Sequence, residues 1–261
     1  MHSALWVAKT GLSAMDRQLS VISNNLANVS TTAFKKDRAV FENLMYQAIR
    51  APGGLSAQNT ELPSGLQIGS GVRVTGTQKN FTEGDYNVTD RQLDVAIQGA
   101  GFFQILQPDG SISYTRDGSF QLNSDGEVVD SSGMLLQPVI TIDPDVVEIT
   151  IGEDGVVSVL RAGQTDTEEI GAINTVNFIN PAGLNFLGGN LYKETTASGT
   201  PIIGVPGEDG LGSVSQGMLE ASNVNSIEEL VNMITTQRAY EMNSKVISTA
   251  DGMLSFVNQQ L

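Results

Sequence analysis

The chain has 261 residues, no cysteine, one histidine, and 29 acidic against 14 basic side chains, for a formal charge of −15. That length leaves room for one large domain or two modest ones, and the charge excludes nucleic acid and anionic membrane as general partners because the long-range field repels both. The lone histidine is His2 at the chain end, which argues against a Ser-His-Asp triad or a histidine-ligated zinc site, and the absence of thiols leaves the redox compartment open.

Near the N-terminus, Leu5, Leu12, Leu19 and Leu26 recur every seven residues, with Ala8, Met15, Ile22 and Val29 on the same beat between them. Apolar residues alternately three and four apart lay one narrow seam along a helix, the pattern of a coiled coil. The helix is expected from about Ser3 to Asn28, where Asn28, Ser30, Thr31 and Thr32 compete for backbone hydrogen bonds and end it. Residues 34–50 read as helical or extended, anchored by Phe34, Phe41, Leu44, Met45 and Ile49. From Ala51 to Gly71 the composition turns to Gly, Pro, Ser, Gln and Asn, an extended segment suited to a long hairpin arm.

The middle reads as β-structure. Short apolar runs at Leu93–Ile97, Phe102–Leu106, Ile112–Thr115, Phe120–Leu122, Val128–Val129 and Met134–Leu136 are punctuated by Asp109-Gly110, Asp117-Gly118, Asp125-Gly126 and Ser132-Gly133. Asp-Gly favours a type I′ turn, with positive φ at both central positions, and regular spacing predicts an antiparallel meander. Val146–Ile151 and Val156–Leu160 form a further hairpin, and Ile170–Ile179 adds at least one strand. Glycine-rich residues 199–217 read as the return path to a C-terminal helix. That helix opens at Ser226, with Glu229 completing a capping box. Its seam is Met233, Tyr240, Ile247 and Leu254, with Ala250 and Val257 beside them. All eight prolines fall between Pro52 and Pro206, as two uninterrupted terminal helices require.

The expected fold is therefore α+β, mainly β with terminal helices. Residues 1–34 and 222–261 form a helical polymerisation region, 35–81 an extended arm or connector, and 82–221 a central antiparallel β-domain. Polar residues are expected on the opposite faces of the helices: Ser20, Ser23, Asn24, Asn25 and Asn28 on the first; Asn232, Asn243, Ser244, Ser248, Asn258, Gln259 and Gln260 on the second. A thin seam suits helix-on-helix packing better than burial under a sheet. If copies of the chain satisfy it through a head-to-tail contact that does not close, the product is a helical filament.

Chemistry is harder to find. Gly99-Ala100-Gly101 lacks the third glycine and the helix of a dinucleotide-binding turn, so it reads as a bend. Asn123-Ser124-Asp125-Gly126 lacks the flanking acids of a calcium loop. Asp143, Asp145, Glu148, Glu153 and Asp154 include no pair that spacing singles out for glycoside hydrolysis. No catalytic residue, cofactor or metal is expected. No run of eighteen apolar residues occurs, so membrane insertion is not expected. The N-terminus lacks the basic flank and apolar block of a cleavable secretory signal, so the chain is expected to stay in the cytoplasm or to leave by another route.

Three motifs are familiar together. Asn24-Asn25-Leu26-Ala27-Asn28, continuing to Phe34-Lys35, resembles the N-terminal signature of bacterial flagellar axial proteins, the rod and hook family. Thr89–Phe103 and Tyr114–Phe120 resemble that family's central signature, and Glu220–Asn225 with Glu228–Ile234 and Gln237–Glu241 its C-terminal one. Arg38–Gly53 and Leu62–Gly69 resemble rod members, whereas hook members are generally longer and carry extra outer β-domains. The resemblance implies a non-enzymatic subunit of a rigid, hollow, self-assembling shaft. That shaft carries motor torque, spans the periplasm inside ring bushings, and is exported by the flagellar type III route without a cleaved signal. Implied partners are copies of itself, proximal rod and hook subunits, basal-body ring proteins, the export apparatus and chaperone-like factors. It also implies that Leu44, Tyr46, Ile49, Pro52, Leu62, Pro63, Leu66 and Ile68 form a stiffening arm wedged between neighbours. The rivals are another axial protein, proximal rod or hook, and a carboxylate-dependent wall glycosidase.

Overall fold

The computed structural model describes residues 2–50, 55–57, 60–61, 64–164 and 166–259. The chain divides into two compact units, one of residues 1–27, 37–79 and 225–261, the other of 28–36 and 80–224.

In the first unit, α1 (His2–Ala27) packs along α2 (Ser226–Gln259) and against the antiparallel pair Asp37–Asn43 and Val72–Lys79. Of residues 34–50, which read as helical or extended, Asp37–Asn43 and Gln47–Arg50 are strands, with Val40 and Phe41 half-buried. Beyond them the chain runs into the arm. Gln47–Arg50 pairs with Leu66–Ile68, and Leu55–Ala57 with Thr60–Glu61. The Leu44 N–H donates to Gly71 O at 2.9 Å, closing the arm's base. The capping box at Ser226 is replaced by a cap one residue earlier. Asn225 Oδ1 accepts from the N–H groups of Ile227 (3.0 Å) and Glu228 (3.3 Å), because an Asn side chain reaches the orphan donors of a first turn as well as a serine does.

The second unit is built on a seven-stranded antiparallel sheet. Its spatial order is Gln121–Leu122, Val128–Val129, Leu135–Gln137, Phe103–Leu106, Ile112–Thr115, Leu191–Lys193, Asn185–Gly188. This is not the expected meander, since Leu135–Gln137 returns beside Phe103–Leu106 and the hairpin Phe103–Thr115 occupies the centre. Central placement follows from burial: Phe103, Ile105, Tyr114 and Thr115 are all enclosed. A three-stranded sheet, Val146–Ile151, Val156–Arg161 and Glu168–Ala172, completes the aliphatic core with Ile149, Ile151, Val157 and Val159. A second cluster is aromatic. Phe102 meets Phe81, Phe178 and Tyr192 edge-on at 5.5–5.8 Å, a geometry that aligns ring edges with ring faces.

The glycine-rich return path also contributes strands. Ser213–Gln216 pairs with Val95–Gln98, and Ile202–Gly204 with Thr175–Asn177.

The hairpin turns differ in type from the expectation. At Gln107–Ser111, Asn123–Glu127, Asp130–Met134 and Gly152–Val156, the first N–H donates to the carbonyl four residues on, and the fourth donates back to the first. Positive φ is confined to the glycine in fourth place, about 80° at Gly110, Gly126, Gly133 and Gly155. These are three-residue loops with a glycine bulge, in which aspartate keeps an ordinary conformation and its carboxylate binds the turn; Asp109 Oδ1, for example, accepts from Ser111 N at 2.8 Å. Asp117-Gly118 is no turn of this kind. Gly118 backs onto the main chain, and a Cβ there would stand 1.7 Å from Val95 O.

Candidate assembly surface and buried charge node

The two helices pack along each other, and most of the predicted seam residues are withdrawn from solvent. On α1, Ala8 and Ile22 are buried and Leu5, Leu12, Met15, Leu19 and Leu26 half-buried, while Val29 follows the helix in a half-buried turn. On α2, Ala250 is buried, Met233, Ile247 and Leu254 are half-buried, and Tyr240 sits at the edge of exposure. Val257 belongs to α2, but its side chain lies outside the described residues. Small residues let the helices approach: a Cβ on Gly11 would meet the Asn243 side chain at 3.3 Å.

The opposite side of α2 departs from expectation. Ile227, Val231, Ile234, Met242, Val246, Met253 and Phe256 are exposed there, Phe256 at 61%, interrupted by Arg238, Glu241 and Lys245. At about 100° per residue these positions gather roughly opposite the seam. A helix in a finished domain normally has one apolar stripe; α2 has two, and α1 covers one.

Asn258, Gln259 and Gln260 lie outside the residues whose side chains are described, and the other predicted polar positions are split between the inside and the surface. Asn25 is buried, donating to Asp37 O (2.9 Å) and accepting from Asp37 N (2.9 Å), with Glu229 Oε2 at 3.5 Å. A side-chain amide carries both a donor and an acceptor, so Asn25 completes both main-chain groups of one strand residue. Asn243 turns toward Gly11, while Ser20, Ser23, Asn24, Ser244 and Ser248 are exposed. Among the other motif residues, Ala27 is exposed, Asn28 accepts from Thr31 at its Oδ1 (3.1 Å), and Phe34 is buried.

In the arm, Leu44 is half-buried, whereas Tyr46, Ile49, Leu66 and Ile68 are exposed, and Met45 is 88% exposed. Pro52, Leu62 and Pro63 lie outside the described residues. Two paired strands with apolar side chains in water are at best marginally stable by themselves.

The second unit holds a feature that spacing did not single out. Lys35, Arg116 and Glu220, one from each of the three motifs, meet where solvent is excluded. Glu220 Oε1 accepts from Lys35 Nζ at 2.5 Å and from Gly84 N at 3.0 Å, and its Oε2 from Arg116 Nε at 2.8 Å. Lys35 also donates to Thr82 O (2.8 Å). The Arg116 guanidinium donates to the carbonyls of Gly99, Gly101 and Ile97 at 2.9–3.1 Å, so the Gly99–Gly101 bend is an arginine cradle. Burial pushes the Lys35 ammonium below its usual range, and Arg116 adds to this against the pull of Glu220. Burial alone would raise the Glu220 carboxyl; Arg116, then Lys35 and the Gly84 N–H, outweigh it and hold it below 4.5. Burial and the Glu83 carboxylate push Tyr86, beside this node, up to about 12.

Asn223 ties the same region together. It accepts from Lys36 N at 2.7 Å and donates to Asn80 O and Thr82 O at 2.9 and 3.0 Å. The signal available in sequence was a charge inside each motif, and only the fold brings the three together.

Elsewhere, Arg161 is held by Asp143, Asp145 and Glu168 at 3.0–3.5 Å. Two of the acids weighed for glycoside hydrolysis, Asp143 and Asp145, are thereby engaged by a cation. Among the described residues no cluster of three or more His, Cys, Asp or Glu is placed to hold a metal, and no helix is long and apolar enough to cross a membrane.

Three family descriptions match in chain order: "Flagella basal body rod protein" over residues 5–35, "Flagellar hook protein FlgE/F/G D1 domain" over 96–159, and "Flagellar basal body rod FlgEFG protein C-terminal" over 215–260. The chain is 55% identical to the flagellar basal-body rod protein FlgG of Buchnera aphidicola subsp. Schizaphis graminum, over 99% of this chain and 100% of that one. It is 47% identical to FlgG of Borreliella burgdorferi (99% and 98% covered) and 36% identical to that of Bacillus subtilis (97% of each).

Proposed function

The chain belongs to the FlgG family of flagellar basal-body rod proteins, and from that premise we propose that it forms the distal rod, a stiff hollow tube of its own copies that carries motor torque to the hook. As a family member it is a structural axial subunit of the flagellum. The observation that carries the finer reading is the second apolar stripe of α2, which no element of the described chain covers. Side chains such as Phe256, Met253 and Val246 are about half exposed, so covering them gains roughly 1–1.5 kcal/mol each, and neighbouring copies supply the cover. The seam between α1 and α2 then forms one side of each subunit's helical layer, and the exposed arm lies against adjacent subunits and resists bending. Proximal rod and hook subunits meet the ends of the tube. Ring proteins surround it, and the flagellar export apparatus, with its chaperone-like factors, delivers subunits through it. The subunit has no catalytic role.

The test is to concentrate the purified chain, seed it with sheared product, and examine it by electron microscopy. Straight hollow tubes are expected. Curved tubes point to a hook-like subunit, and a monodisperse monomer under all seeding conditions refutes the reading.

A further inference from the structure

The net charge is sorted between the two units. Residues 1–27, 37–79 and 225–261 contain eight Lys or Arg and eight Asp or Glu, so the helical unit is neutral; residues 28–36 and 80–224 contain six and twenty-one, and with them the entire −15. Sixteen of those twenty-one acids are exposed. Two of the six bases, Lys35 and Arg116, are buried on Glu220, and Arg161 is taken up by three carboxylates. The neutral unit is also the one with the uncovered apolar stripe of α2.

We propose that this sorting gates self-association electrostatically. The neutral helical unit receives a second copy of the chain through α2, while the anionic β-unit sets a repulsion that mobile cations must screen before copies pack. The inference rests on the rod reading for the existence of a polymer and adds its control. A unit of roughly 150 residues has a radius of gyration near 15 Å, hence is about 40 Å across, which sets the spacing of side-by-side β-units. The Debye length is about 30 Å at 0.01 M salt and about 10 Å at 0.1 M. Repulsion at that spacing is therefore felt at the lower concentration and nearly abolished at the higher. Apolar contact between helices has no comparable dependence over this range.

The experiment measures the critical concentration for seeded assembly of the full chain, by sedimentation, from about 10 to about 150 mM NaCl at neutral pH. The wild-type value should fall at least about tenfold across that range. The comparison chain carries E148Q, E153Q, D154N, E169Q, E208Q and D209N, exposed positions in the β-unit, where the amide keeps the acceptor that Asp154 offers to Val156 N. Its charge of about −9 leaves roughly a third of the repulsion, which scales with the square of charge. It should assemble at low salt and show about a third of the wild-type logarithmic slope. A flat wild-type response, or equal slopes in the two chains, overturns the gate and leaves the rod reading standing. No polymer from either chain at any salt, with both folded by circular dichroism, overturns both.

Discussion

Replacing Glu220 by glutamine keeps its shape and removes the carboxylate that binds both Lys35 and Arg116 in the buried node. Breaking a buried ion pair costs about 3–5 kcal/mol, because the surviving charge is left without compensation. Here two cations survive, which places E220Q toward the upper end. Lys35 can relieve part of the cost by losing its proton, since burial and Arg116 already depress its pKa. The contrasting substitution is K35M. It leaves Glu220 with Arg116 at 2.8 Å and the Gly84 N–H at 3.0 Å, so the carboxylate stays compensated. The loss is then two charge-assisted hydrogen bonds, to Glu220 and to Thr82 O, of about 1.5–3 kcal/mol each, offset because an ammonium no longer has to be desolvated, a penalty of several kcal/mol. A net cost of about 1–2 kcal/mol is expected.

Urea unfolding followed by near-ultraviolet tyrosine dichroism reads this out, since Tyr86, Tyr114 and Tyr192 all lie in the β-unit. The order E220Q well below K35M is the prediction. Equal costs, or K35M the worse of the two, would refute the placing of Glu220 at the hub. The pH profile adds a second check. The folded Glu220 pKa lies below its ordinary 4.5. Its contribution to stability is therefore complete above that value and is lost as pH falls through the folded one. The stability gap between wild type and E220Q should narrow as pH drops below about 4.5.

On α2, F256S or V246S should leave monomer stability within about 1 kcal/mol yet raise the critical concentration for assembly in sedimentation assays, whereas I247S, at a half-buried seam position, should cost the monomer about 1–3 kcal/mol. G118A should destabilise by more than about 3 kcal/mol, because its Cβ would stand 1.7 Å from Val95 O. G110A, with open space around it and φ of 80°, should cost only the strain of a left-handed alanine, about 1–2 kcal/mol; thermal melts of the two separate clash from strain. Deleting residues 45–70 and joining Leu44 to Gly71, which are already hydrogen-bonded, should leave a folded subunit whose polymers bend more. An unchanged persistence length in electron micrographs would retire the stiffening arm.

Local rules were legible where neighbours in sequence settle the matter. The seven-residue beats of apolar residues placed α1 and α2 within a residue or two of their ends, because helical periodicity depends only on the chain's own geometry. The glycine spacing located four hairpins, although their type was misjudged. Type I′ would require positive φ at aspartate as well as at glycine, and the bulged loop satisfies the same hydrogen bonds with glycine alone.

What the chain pattern could not supply was anything that depends on residues far apart. Strand order in the seven-stranded sheet turns on which apolar runs are enclosed on both sides, and Ser213–Gln216 pairs with a strand more than a hundred residues earlier. Asn25 read as a surface residue, yet it is buried because a distant strand offers one N–H and one carbonyl at the spacing of a side-chain amide. Lys35, Arg116 and Glu220 looked like three unrelated charges until folding excluded water around them. The second stripe on α2 is the same lesson in reverse. Heptad spacing marks a side that can be covered, and only the packed structure tells which apolar side chains stay exposed.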